Sequence, residues 1–213
     1  MTQPLHIGFL IYPGMTQLDA TGPAQILARL PGAVIHLAWK TVEPVMTDAG
    51  FAIVPTDSFD SCPNLDILCV PGGAGQRQLM GDDAVLGFLR HQGTQARYVT
   101  SVCTGALLLG AAGLLKGYRS ATHWAFRELL PGFGAEPVAE RIVRDRNRIS
   151  GGGVTAGIDF GLAVAAEIAG EEVARGIQLW VEYDPAPPFE SGSPEKAGPT
   201  LTAAVRERLM AGR

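Results

Sequence analysis

The chain has 213 residues and a formal net charge of −4, with acidic and basic side chains interspersed along its length. This length suffices for one well-cored α/β domain, and no apolar run is long enough to cross a bilayer. The charge balance speaks against a nucleic-acid partner. Its one basic concentration, Arg141-Ile142-Val143-Arg144-Asp145-Arg146-Asn147-Arg148, has the alternation and central turn of a solvated hairpin. Three cysteines occur, Cys62, Cys69 and Cys103, with no Cys-x-x-Cys spacing and no His-x-x-x-His pattern. No basic stretch followed by an apolar one opens the chain. A cytoplasmic protein with free thiols and no metal site is therefore expected.

In chain order, His6–Tyr12 is an apolar run of strand length, stopped by Pro13-Gly14. Asp19-Ala20-Thr21-Gly22-Pro23 opens a helix reaching about Leu30, with Pro23 in its first turn and Pro31-Gly32 after it. Ala33–Trp39 reads as a second strand and Phe51–Val54 as a short one. Leu65–Val70 reads as a buried parallel strand running into Pro71-Gly72-Gly73-Ala74-Gly75. A helix follows over Asp82–Gln92, then a strand, Arg97–Val102, that meets Cys103. Past a small-residue helix, Thr104–Ala112, the pattern gives a hairpin of Glu140–Arg144 and Arg148–Ser150. Helices are expected at Ala156–Ala169 and Glu171–Tyr183. An irregular stretch from Asp184 to Pro199 precedes a last amphipathic helix, Leu201–Met210. Strands alternating with helices define a single-domain open, mainly parallel sheet with helices on both faces, spanning residues 1–213.

Ser101-Val102-Cys103-Thr104-Gly105 has the strand–turn–helix setting of a nucleophile elbow, with small residues two positions before and after the cysteine. A thiol at a helix N-terminus faces unpaired N–H groups and the positive end of the helix dipole, which favour the thiolate. The bland alternative is a buried, inert cysteine. In such a sheet ligands gather at the carboxyl ends of the strands, where the loops Pro13–Pro23, Pro71–Gly75 and Val102–Gly105 all emerge. Asp19 reads either as a helix cap or as an acid beside Cys103, kept protonated by desolvation and a neighbouring thiolate. Gly73 offers a backbone N–H for a developing negative charge, or it belongs to a plain turn. Thr104 supplies a hydroxyl but no base, which weakens a protease or amidotransferase reading. His123 reads as a structural histidine, although its loop could bring it to the pocket. Gly151-Gly152-Gly153 would let the backbone approach a small ligand closely. Cys62 and Cys69 read as structural.

Together Leu18-Asp19-x-x-Gly22-Pro23, Val70-Pro71-Gly72-Gly73, Ser101–Gly105 and Ala121-Thr122-His123-Trp124 resemble the ThiJ/PfpI superfamily, with its class I glutamine amidotransferase-like (flavodoxin-like) fold. The longer stretches Ala96–Gly105, Gly151–Phe160 and Glu182–Phe189 are similar to its isonitrile-hydrating members. The resemblance implies a cofactor-free homodimeric enzyme that converts an isonitrile and water to an N-substituted formamide. It implies Cys103 as nucleophile, Asp19 as acid and Thr104 beside the thiol. Gly73, Thr104, Gly152 and Val154 are the expected backbone or substrate contacts, Val154 standing where those hydratases often have isoleucine. Attack of the Cys103 sulfur on the isonitrile carbon would give a covalent thioimidate, which water then resolves. The alternatives are a non-enzymatic sensor or stress-response module, or another thiol hydrolase or glyoxalase-like enzyme. A self-contained DNA-binding regulator is disfavoured, because the chain ends at Arg213 without about 100 further residues for a helix-turn-helix domain.

Overall fold

The computed structural model describes residues 3–211; Met1, Thr2, Gly212 and Arg213, included in the expected 1–213 span, lie outside the described residues. The chain opens with strand β1 (Leu5–Leu10), helix α1 (Gln17–Leu27) and strand β2 (Ala33–Trp39). Short strands β3 (Val45–Met46), β4 (Ala52–Ile53) and β5 (Asp57–Ser58) lead to β6 (Ile67–Val70). Helices α2 (Gln76–Leu79) and α3 (Asp83–Gln95) precede β7 (Tyr98–Val102) and α4 (Gly105–Ala111). Then come β8 (Arg119–Ser120), 3-10 turns over Trp124–Phe133, β9 (Glu136–Pro137) and the hairpin β10 (Ile142–Asp145) and β11 (Arg148–Gly151). Helices α5 (Ala156–Ala169), α6 (Glu171–Trp180) and α7 (Pro194–Met210) complete the described chain.

Seven strands form one sheet in the order β10-β11-β7-β6-β1-β2-β5, parallel throughout except for the edge strand β10. The central strands carry near-continuous apolar runs because both their faces are covered; all four residues of β6 and all five of β7 are buried. The connection through α1 leaves β1 toward one edge, whereas that through α3 runs from β6 toward the other. Right-handed crossovers therefore place these helices on opposite faces. Helix α1 packs on α5 and α5 on α6, while α4 packs against α3 and the 3-10 turns. The chain reverses its direction of travel between β1 and β6. That switch point, at the carboxyl ends of the strands, is where such sheets hold ligands.

Several expected boundaries move. Helix α1 starts at Gln17, with Thr16 extended at its N-cap, so Asp19 lies within the first turn and not at the cap. Pro23 sits inside the helix, not in its first turn. It packs where the glycine face of α5 comes close, since a Cβ on Gly157 or Gly161 would lie 3.2 Å from it. The last helix begins at Pro194, earlier than expected, because Ser193 Oγ caps Lys196 N–H. A left-handed Gly198 (φ 77°) then kinks it ahead of Pro199. The basic cluster forms the β10–β11 hairpin, with Arg144 paired to Glu167 and Arg146 and Arg148 stacked on Tyr118. No described helix is long and apolar enough to cross a membrane.

Candidate active site

Strand β7 delivers Cys103 into a left-handed backbone conformation, φ 55°, which costs a residue with a Cβ on the order of 1–2 kcal/mol. Neighbouring groups hold it there. Its N–H donates to the Gly151 carbonyl at 3.1 Å, and its carbonyl accepts from Thr122 Oγ1 at 2.8 Å. Two positions on, a Cβ on Gly105 would collide with the Val70 carbonyl oxygen. The elbow therefore closes against β6 only because that residue is glycine. Helix α4 starts at Gly105, with Thr104 at its N-cap.

The three strand-end loops meet at this point. Thr16 N–H donates to the Gly72 carbonyl at 2.9 Å, Gly75 N–H to the Gly14 carbonyl at 3.2 Å, and Gly72 N–H to Asp19 Oδ2 at 2.8 Å. Gly73 N–H donates to Thr104 Oγ1 at 3.1 Å. A Cβ on Gly72 would lie 2.5 Å from Thr104 N and 2.9 Å from Asp19 Oδ2, so only glycine fits between them. Tyr12, fully buried, ties the loop down by donating its hydroxyl to the Pro71 carbonyl at 2.9 Å. Nothing in the apolar run His6–Tyr12 singled out Tyr12, which reads there as the last apolar residue of an expected strand and lies beyond the end of β1.

Asp19 is 1% exposed, and its Oδ1 has no hydrogen-bond partner. Burial raises its pKa to about 7, opposed by the Gly72 N–H and by the neighbouring Cys103 thiol. The Cys103 thiol is also pushed well above its ordinary value, first by burial and then by the Asp19 charge; the Thr104 N–H acts the other way. The helix N-terminus alone would favour a thiolate. Here desolvation outweighs it, because a second anion beside Asp19 in a dry site is too costly. Near pH 7 the carboxyl therefore gains or loses its proton while the thiol keeps its own.

Cys103 and Thr104 open onto a cavity of about 190 Å³, with Gly73, Val154 and His123 also on its wall. His123, read from the sequence as structural, thus reaches the site. Its Nδ1 accepts from Ala125 N–H at 3.3 Å, and burial lowers its pKa, so the ring is neutral. Two of the expected backbone contacts are already occupied. Gly73 N–H is bonded to Thr104, and Gly152 N–H donates to the Arg141 carbonyl at 2.9 Å. Gly152 lines a neighbouring cavity, which shares His123 and Val154 with the first. Sequence reasoning missed Gln76, 3% exposed on the wall of the Cys103 cavity, whose Oε1 has no partner. It also missed Phe126, Arg77, Asp48 and Leu209 on the same wall. A short helix of polar residues and a distant chain end carry no motif that would have marked them.

A strained cysteine at the switch point of a flavodoxin-like sheet, backed by a buried carboxyl, defines a class, and the comparisons with known proteins agree. The DJ-1/PfpI family model matches residues 6–167, and the chain belongs to that family. It is 54% identical to the isonitrile hydratase of Pseudomonas putida over 204 residues, 96% of this chain and 90% of that one. It is 31% identical to the HTH-type transcriptional regulator GbdR of Pseudomonas aeruginosa, over 85% of this chain but 51% of the regulator. A ThiJ/PfpI family protein from Pseudomonas syringae superposes with a TM-score of 0.96 at 47% identity, covering 99% of this chain and 88% of that one. Drosophila melanogaster DJ-1beta shares the fold, with a TM-score of 0.78 at 21% identity over 86% of this chain and all of its own.

Proposed function

We propose that this protein is an isonitrile hydratase, converting an isonitrile and water to an N-substituted formamide. The observation that carries the reading is the buried Asp19–Cys103 pair, poised to pass one proton, in a chain 54% identical to an enzyme of that name. An isonitrile adds a nucleophile and a proton at the same terminal carbon. The Cys103 sulfur attacks that carbon while the thiol proton moves to Asp19 and from there to the carbon. The new C–S and C–H bonds give a thioimidate, Cys103-S–CH=N–R. Asp19, again ionised, takes a proton from the attacking water and delivers it to nitrogen, leaving Cys103-S–CH(OH)–NH–R. Loss of the hydroxyl proton and cleavage of C–S release the formamide, and the proton returns to sulfur.

The remaining residues position these groups. Thr104 N–H faces the sulfur, and the Thr104 hydroxyl fixes the Pro71–Gly75 loop by accepting from Gly73 N–H. Gly73 thus supports the wall of the site and does not bind an oxyanion. The unpartnered Gln76 oxygen accepts a hydrogen bond from the hydrolytic water. Val154 shapes the wall, and His123 stays neutral. We further propose a cytoplasmic homodimer. The apolar cleft lined by Leu18, Ile26, Ile158 and Val181, next to the exposed Leu179 and Trp180, is the face for a second copy.

The experiment is product analysis after incubation with alkyl and aryl isonitriles and, separately, with methylglyoxal. Formamide from the isonitriles alone supports the reading. Lactate from methylglyoxal would support a glyoxalase-like enzyme instead, and no product from either would favour a sensor module.

A further inference from the structure

We propose that Leu209, in the last turn of α7, sets the size limit of the group carried on the substrate nitrogen and restricts that group to compact substituents. This rests on the isonitrile reading for the identity of the substrate, but its geometry stands apart from the chemistry. Cys103 and Thr104 form one side of the cavity, and Phe126, Val154 and Leu209 supply the large apolar side chains of its walls. Leu209 is the one lining residue drawn from α7. The volume, about 190 Å³, compares with the roughly 150 Å³ that accommodates a benzene molecule. An isonitrile carbon and nitrogen plus one six-membered ring, or a branched alkyl group of that size, fills it.

Two charged groups, Arg77 and Asp48, also reach the wall. Arg77 Nη2 donates to the Leu209 carbonyl at 3.3 Å, and its guanidinium lies over the Phe126 ring at 5.9 Å. This bond and the ring contact tie the cation to the end of α7. Asp48 accepts from Thr16 Oγ1 at 2.6 Å, and its negative charge opposes an anionic substituent. A cationic group would have to surrender its hydration in a cavity this small.

The helix carrying Leu209 is attached loosely enough for substitution to resize the pocket without disturbing the core. No residue of α7 is fully buried, and its inward positions Thr202, Arg206 and Leu209 are only half-buried. Arg206 adds a contact with the Trp124 ring at 5.0 Å. The whole of α7 lies beyond residues 6–167, which match the family. The family fold therefore carries the nucleophile, and an appended helix closes the space in front of it.

The test compares kcat/KM for methyl, cyclohexyl and naphthyl isonitriles on the unmodified protein, Leu209→Ala and Leu209→Met. The naphthyl-to-cyclohexyl ratio should rise by about tenfold or more in Leu209→Ala, the usual worth of apolar groups in a pocket. It should stay within about twofold in Leu209→Met, which conserves volume. In parallel, alkylation of Cys103 by N-methylmaleimide and N-naphthylmaleimide, read by peptide mass spectrometry, reports the same size limit without turnover. Its ratio should move in the same direction by a similar factor. Ratios unchanged by Leu209→Ala in both assays overturn the proposal. If the alkylation ratio shifts while the unmodified protein hydrates no isonitrile, the size limit stands and the assigned reaction fails.

Discussion

The elbow and the last turn of α7 face one another across a single cavity and are built on opposite terms. Cys103 is strained, buried and held by β6, β11 and the Thr122 loop, with glycine required at position 105. Leu209 sits on a kinked helix with no fully buried residue, fastened by one arginine and a few half-buried side chains. A close-packed neighbourhood fixes reacting atoms and tolerates little change. A lightly anchored wall can be altered at small cost to stability. On this account, chemistry is lodged where the fold is over-determined and selection where it is not.

The largest expected effect lies on the elbow side. Asp19→Asn keeps an acceptor for Gly72 N–H but cannot carry a proton, so kcat should fall by about 10³-fold. A drop of less than tenfold in steady-state assays would return Asp19 to a structural role. Gly105→Ala drives a methyl group into the Val70 carbonyl and should cost about 2–4 kcal/mol in denaturant unfolding, with activity lost. Val205→Ala on α7 should stay within about 0.5–1 kcal/mol in the same experiment. Similar costs at the two sites would erase the contrast.

A third effect follows from the titration of Asp19. The mechanism needs the pair with one proton, and Asp19 has a pKa of about 7. Hence kcat/KM should fall about tenfold per pH unit below 7 and level off above it, until the thiol itself ionises. The smallest effect concerns stability. The folded pKa of Asp19 is raised above the ordinary 3.8, so the folded state binds that proton more tightly than the unfolded chain does. Stability from this group is present below about pH 4 and declines as pH rises toward 7. Asp19→Asn, which keeps the site neutral, should therefore raise Tm by several degrees at pH 8 and have little effect at pH 4. No gain at pH 8 would mean that the carboxylate is better solvated than its burial implies.

Much of the elbow side was legible from sequence. An apolar strand meeting a cysteine between small residues, with glycine-rich loops after two other strands, places these groups at one end of a parallel sheet. Local pattern reported Asp19 less well. Cap statistics put it at a helix start, yet the extended Thr16 begins the helix earlier and turns the carboxyl toward the thiol. The protonation of Cys103 was not legible at all, because a helix N-terminus is a local signal and burial is not. Gln76 and Leu209 were invisible for a related reason. They reach the cavity through tertiary packing, one from a single-turn helix and the other from the far end of the chain. The occupied N–H groups of Gly73 and Gly152 likewise depend on partners, Thr104 and Arg141, that no spacing reveals.

The central claim is that substrate carbon becomes bonded to Cys103. Rapid quenching of the protein with an excess of cyclohexyl isonitrile, followed by intact and peptide mass spectrometry, tests it directly. The account predicts a species heavier by the whole mass of the isonitrile, located on Cys103 and absent from Cys103→Ala, which makes no formamide. Formamide production by Cys103→Ala would contradict it.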